Sequence, residues 1–157
     1  LETDAECLLS AWWQLLTVDK DFLPGWRESH FPGGCSHAGE LETSVYLHLD
    51  RENVREDKIK SGTISFNDEK SPHLYTDLFG KGAAALVSWT SSYTETGVLG
   101  DAEKGMVEKG RRAYEEAVQQ LCRFVDYFRD RPRDTRHREQ NPEPSMPIPW
   151  NQHDPIA

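Results

Sequence analysis

The chain has 157 residues, 27 acidic against 18 Lys and Arg, and a formal net charge of -9. That length suits one domain with a real core, and the acidic balance excludes nonspecific nucleic-acid binding, which needs a basic footprint. Three cysteines, Cys7, Cys35 and Cys122, form no paired framework, which argues for a reducing, cytoplasmic setting, and no apolar run approaches bilayer-spanning length.

Taken in order, residues 7–16 (CLLSAWWQLL) are almost wholly apolar, and periodicity cannot separate strand from helix in so short a run. Residues 17–32 read as a loop punctuated by Pro24-Gly25 and Pro32-Gly33. From Gly39 onward Leu41, Val45 and Leu49 recur at four-residue steps, predicting a short amphipathic helix. Residues 51–60 are charged and solvent-facing, 59–66 allow a short strand, 70–82 are loop-like, and 83–89 (AAALVSW) form a plausible strand. Asp101 can cap the next helix, and apolar residues from Met106 to Phe128 keep three-four spacing through one long helix. Helix and strand alternate, so the class is α/β with a largely parallel sheet. Two or three candidate strands are too few to complete such a sheet. From Arg129 the composition changes to alternating Arg and acids, followed by Pro142, Pro144, Pro147 and Pro149 ahead of Trp150. This reads as an extended tail anchored on another surface.

The chemistry concentrates in Gly33-Gly34-Cys35-Ser36-His37-Ala38-Gly39-Glu40-Leu41-Glu42-Thr43-Ser44. Glycines allow close backbone approach, and His37 falls at the mouth of a helix. The helix dipole there favours the neutral ring, able to act as base or hydrogen-bond donor. Glu42 lies about one turn into the helix; a carboxylate buried there needs a donor, a cation or a metal, and helix-dipole pairing is the plainer alternative. Glu40 is expected to face solvent, and Thr43 and Ser44 to support the helix start. Cys35-x-His37 alone is half a metal site at most. The turn Gly97-Val98-Leu99-Gly100 lacks the Lys-Ser/Thr of a phosphate loop and reads as a helix entry. His30, His48, His73, His137 and His153 are scattered and carry no assigned role.

His-Ala-Gly-x-x-Glu-Thr-Ser, with the later Gly97-Val98-Leu99-Gly100-Asp101 and Glu108-Lys109-Gly110 block, resembles the creatininase (creatinine amidohydrolase) family over roughly residues 8–128. The resemblance implies a three-layer α/β/α fold with a mostly parallel sheet, incomplete in this chain alone. It favours a strand ending near Trp12-Trp13. It implies His37 and Glu42 as catalytic residues, with Glu42 near or on a binuclear metal centre. Trp13, Gly34 and Cys35 fall on the substrate side, Trp13 as a planar pocket wall. The family's N-terminal metal-binding half and its Asn-Gly-His loop are not matched. Gly33-Gly34 stand where creatininase proper has a Trp-Asp pair that helps hold creatinine.

The chain therefore reads as residues 1–128, a C-terminal portion of a creatininase-like domain, and residues 129–157, a tail packing on a neighbouring chain. The implied activity is hydrolysis of a C–N bond in a small cyclic or compact amide. Two divalent ions (Zn, Mn or Fe) would be held mostly by a partner chain carrying the N-terminal half, within a hexamer-like assembly. No nucleic acid or membrane partner is implied. A non-catalytic assembly subunit is the alternative, and deformylase, lyase or peptide-maturation chemistry on the same scaffold a third.

Overall fold

A computed structural model describes residues 8–65, 70–84, 86 and 89–132. The first element is a 3-10 helix, Trp12–Thr17, followed by α1 (Phe22–Trp26), β1 (Cys35–His37) and α2 (Glu40–Leu49). Two short 3-10 turns, Arg51–Asn53 and Glu56–Lys58, lead through β2 (Thr76–Asp77), β3 (Gly80–Lys81) and a 3-10 turn at Thr90–Ser92. The chain then enters β4 (Leu99–Gly100), a turn at Ala102–Lys104 and α3 (Val107–Asp130).

The core gathers where α2, α3 and the first 3-10 helix meet. Leu16, Trp26, Cys35, Leu41, Ala113 and Ala117 are its buried members, with Trp13, Phe22, Val45 and Phe79 packed against them. Small residues bring the two main helices close. A Cβ added to Gly110 would sit 1.9 Å from the Ser44 carbonyl oxygen. The Ser44 hydroxyl accepts the Met106 N–H at 3.1 Å and donates to the Glu40 carbonyl at 2.6 Å. The expected helices at 39–49 and 106–128 are thus both present, since each carries an uninterrupted apolar stripe.

Several expectations need correction. The expected strand ending near Trp12-Trp13 is not formed among the described residues: residues 8–11 carry no regular element, and residues 12–16 of the apolar run lie in the 3-10 helix Trp12–Thr17, which packs against α3 and α1. Pro24-Gly25 lies within α1 and does not break it; proline is tolerated in a first helical turn, where its missing N–H costs nothing. Residues 59–65 form no strand. Of 83–89, the described residues give only an isolated parallel bridge, Leu74 with Ala84, and the rest lie outside the described residues.

Helices with small sheets give the chain α/β character, but the sheets are two antiparallel pairs, β1 with β4 and β2 with β3. A mostly parallel three-layer sheet is not formed among the described residues. The tail expected at 129–157 lies outside them beyond residue 132. Among the described residues no helix is long and apolar enough to cross a membrane.

Candidate active site

β1 and β4 bring the two distant glycine-containing motifs together. Cys35 pairs with Gly100 and His37 with Leu99. The Gly34 carbonyl accepts the Asp101 N–H at 2.9 Å. A Cβ on Gly39 or on Gly100 would come within 2.4 Å of that same oxygen. Gly100 also holds φ +144°, a conformation that disfavours side chains. The glycines are therefore steric requirements of a three-segment crossing.

His37 is exposed at the end of β1, and its ring makes no hydrogen bond among the described residues. The next residue, Ala38, holds φ +50°, an uncommon conformation for a residue with a Cβ. Two side chains of the motif clamp it. Glu42 Oε2 accepts the Ala38 N–H, and the Thr43 hydroxyl donates to the Ala38 carbonyl at 3.2 Å. The spacing of His-Ala-Gly-x-x-Glu-Thr thus has a local physical basis: one helical turn carries the acceptor and donor that fix the turn following the histidine.

Glu40 corrects the sequence expectation most sharply. It is fully buried. Its carboxylate accepts the Glu28 N–H at 3.0 Å and the Ser29 N–H at 2.9 Å, and pairs with the Lys109 ammonium. Burial works to raise its pKa, but Lys109, Ser29 and the Glu28 amide outweigh it, so the net shift is downward. Lys109 also reaches Glu28 at 2.9 Å and lies 5.7 Å from the Trp26 ring centroid.

Gly34 and Cys35, expected on the substrate side, face inward. Gly34 is buried with its N–H bonded to the His30 carbonyl at 2.9 Å. Cys35 is a core residue whose Sγ lies 3.3 Å from the Ser29 hydroxyl, and burial pushes its thiol up to about 11.

Trp13 is half-buried. It lines a groove of about 510 Å³ with Trp12, Tyr46, Tyr114 and Leu121, where Glu42 is the only carboxylate among the described residues. The tryptophan thus both packs on the core and walls an open apolar surface.

Asp101 does not cap the long helix, which begins at Val107. Its carboxylate turns back and accepts the His30 N–H and lies against His30 Nδ1, both at 2.9 Å. Arg27 grips Asp77 through two hydrogen bonds of 3.0 and 2.7 Å, and Asp77 also accepts the Gly33 N–H at 2.9 Å. Sequence reasoning missed His30, Glu40, Lys109, Arg27 and Asp77 as organisers of this loop. Glu40, Lys109 and Asp101 lie within the motif blocks, whereas Arg27, His30 and Asp77 lie outside both. Among the described residues no group of three or more His, Cys, Asp or Glu could hold a metal ion.

The family model described as creatinine amidohydrolase matches residues 4–125. A mycofactocin precursor peptide peptidase of Mycobacterium tuberculosis is 35% identical over 108 residues, covering 69% of this chain and 39% of that protein. The protein of the same name from Mycobacterium ulcerans is 35% identical over 115 residues, 73% of this chain and 41% of its own length. The Mycolicibacterium smegmatis protein is 32% identical over 94 residues, 60% of this chain and 34% of its own. The chain thus spans about two fifths or less of the length of these relatives. No solved structure matches. With the matched region running through both motifs and the helices that carry them, the chain belongs to the creatininase (creatinine amidohydrolase) family.

Proposed function

We propose that this chain supplies the histidine-bearing side of a metal-dependent amidohydrolase that cleaves a C–N bond. The observation that carries the reading is His37 itself: an exposed imidazole with no hydrogen-bond partner among the described residues, on a turn fixed by Glu42, Thr43 and the packed glycines. A free imidazole on a rigid support can meet a substrate without first breaking a bond of its own. His37 donates a hydrogen bond to the tetrahedral intermediate or passes a proton to the leaving nitrogen. Glu42 orients the histidine turn through Ala38, and Trp13 walls the pocket.

The two divalent ions implied by the family resemblance do not fit the described residues, whose acids and imidazoles form no ligand cluster. Glu42 already spends one carboxylate oxygen on Ala38. The ions would be held by a complementary metal-binding half on a partner chain. Joined to that half, the short elements seen here complete the three-layer fold, within a hexamer-like assembly.

The relatives are named for action on a precursor peptide, which favours an amide bond within a peptide over a small cyclic amide. The test is turnover of short acylated peptides and small cyclic amides by the metal-loaded assembly. His37→Ala should reduce turnover by about 10²-fold or more while metal content stays the same. Undiminished turnover would overturn the role given to His37.

A non-catalytic assembly subunit is the second reading, motivated by Gly33-Gly34 standing where creatininase proper has a Trp-Asp pair. It predicts no turnover and no stoichiometric divalent metal in the complete assembly.

A further inference from the structure

His30 carried no role in the sequence, yet among the described residues it is the only imidazole whose ring nitrogen meets a carboxylate. His30 Nδ1 lies 2.9 Å from Asp101 Oδ2. Asp101 is nearly buried at 9% side-chain exposure, while the His30 side chain is 71% exposed. A carboxylate only accepts, so the Nδ1 nitrogen carries the hydrogen and the Nε2 lone pair is left for whatever approaches from outside.

The backbone of His30 is pinned as well. Its N–H donates to the same Asp101 oxygen at 2.9 Å. Its carbonyl accepts the Gly34 N–H at 2.9 Å and an Arg27 N–H. Asp101 is held in turn by Gly34, one crossing away from the strand that presents His37. The loop therefore carries two outward imidazoles on one glycine-packed support. One has a fixed tautomer and orientation; the other has neither.

That contrast divides the labour. We infer that the His30–Asp101 pair handles the proton of the amide-cleaving reaction, while His37 hydrogen-bonds the oxygen of the tetrahedral intermediate. The inference rests on the amidohydrolase reading above. Water oxygen forms a bond to the carbonyl carbon as one of its protons moves to His30 Nε2. Collapse of the adduct re-forms the carbonyl and breaks the C–N bond. The proton on Nε2 passes to the departing nitrogen, so the amine leaves neutral and His30 returns to its starting form. Asp101 accepts from Nδ1–H throughout and holds the ring in line. His30 is a catalytic residue in this scheme and Asp101 a positioning one.

The test varies the need for that proton. Acetylated short peptides ending in an N-methylamide are compared with the matching p-nitrophenyl esters, whose leaving group departs without protonation. Both are assayed with the metal-loaded native assembly. His30→Gln removes both proton steps on the amides and should cost about 10²–10⁴-fold in kcat there; on the esters it removes only the base step, and the loss should be at least about tenfold smaller than on the amides. Asp101→Asn retains an oxygen for the His30 N–H, and should show the same selective loss at about 10–100-fold on the amides. His37→Ala should slow both substrates alike. Equal losses on amide and ester for His30→Gln, or no loss on either, would overturn the inference and leave the hydrolase reading standing. A wild-type assembly that cleaves neither substrate would overturn the hydrolase reading and this one with it.

Discussion

Glu40→Gln is the sharpest probe of how the site is supported. The change preserves shape and removes charge from a fully buried carboxylate that faces two backbone N–H groups and the Lys109 ammonium. Oε1 takes the Lys109 ammonium and the Glu28 N–H while Oε2 takes the Ser29 N–H, so a glutamine NH2 meets a donor whichever way it flips. Removing one partner of a buried pair costs about 3–5 kcal/mol. Lys109 keeps the half-exposed Glu28 carboxylate at 2.9 Å and the Trp26 ring, which places the cost near the lower end, about 3 kcal/mol. For a chain of this size that corresponds to roughly 6–12 °C in melting temperature.

The same substitution carries a pH signature. Glu40 is lowered in the folded state from its ordinary 4.5. A carboxylate with a depressed folded pKa stabilises above its unfolded pKa, and that contribution is lost as pH falls through the folded one. The gap between wild type and Glu40→Gln should therefore be full at pH 7, begin to close below about 4.5, and keep narrowing as far as the fold survives. Thermal melts across this range, with a double-mutant cycle adding Lys109→Met, decide the matter. The two single changes should couple by about 1–3 kcal/mol, since replacing both charges together leaves neither unpaired. A pH-independent gap, or singles that simply add, would refute the buried pair as the anchor of α2.

Gly110→Ala drives a Cβ to 1.9 Å from the Ser44 carbonyl and should cost about 3 kcal/mol, whereas Gly25→Ala in α1 meets nothing within 4 Å and should be near neutral; chemical denaturation of both separates helix–helix contact from helix propensity. Alkylation at pH 8 should label exposed Cys122 well ahead of buried Cys35, whose thiol is raised to about 11, and mass spectrometry of the modified peptides would expose the error if the two react at one rate. Trp12, Tyr46, Leu49, Tyr114, Val118 and Leu121 leave a wide apolar face exposed, so the isolated chain should self-associate and bind hydrophobic dyes. A compact, cooperatively melting monomer in solution sizing would contradict that, while Tyr46→Lys with Leu121→Lys should shift the association toward smaller species.

What could be read from the sequence was what is local. The turn around His37 is legible because the groups that fix it, Glu42 on the Ala38 N–H and Thr43 on its carbonyl, lie within five residues. α3 is legible because apolar residues at three-four spacing repeat along its 24 residues, and α2 because Leu41, Val45 and Leu49 recur at four-residue steps. The antiparallel pairing of β1 with β4 is not, since strands of three and two residues give no alternation to detect. Glu40 and Glu42 stand two apart on one helix and look alike in the sequence. Their difference is set by Lys109, 69 residues away, and by the Glu28 and Ser29 amides that α1 delivers. His30 was silent for the same reason, because its meaning depends on Asp101 across 71 residues. A motif records the part of a site that one helical turn can build. The charges that hold that turn in place are recorded only in the packing. In this chain the motif therefore identifies the exposed histidine and the turn that carries it, and leaves out the Glu40–Lys109 pair and the Asp101–His30 contact that tie that turn to the rest of the fold.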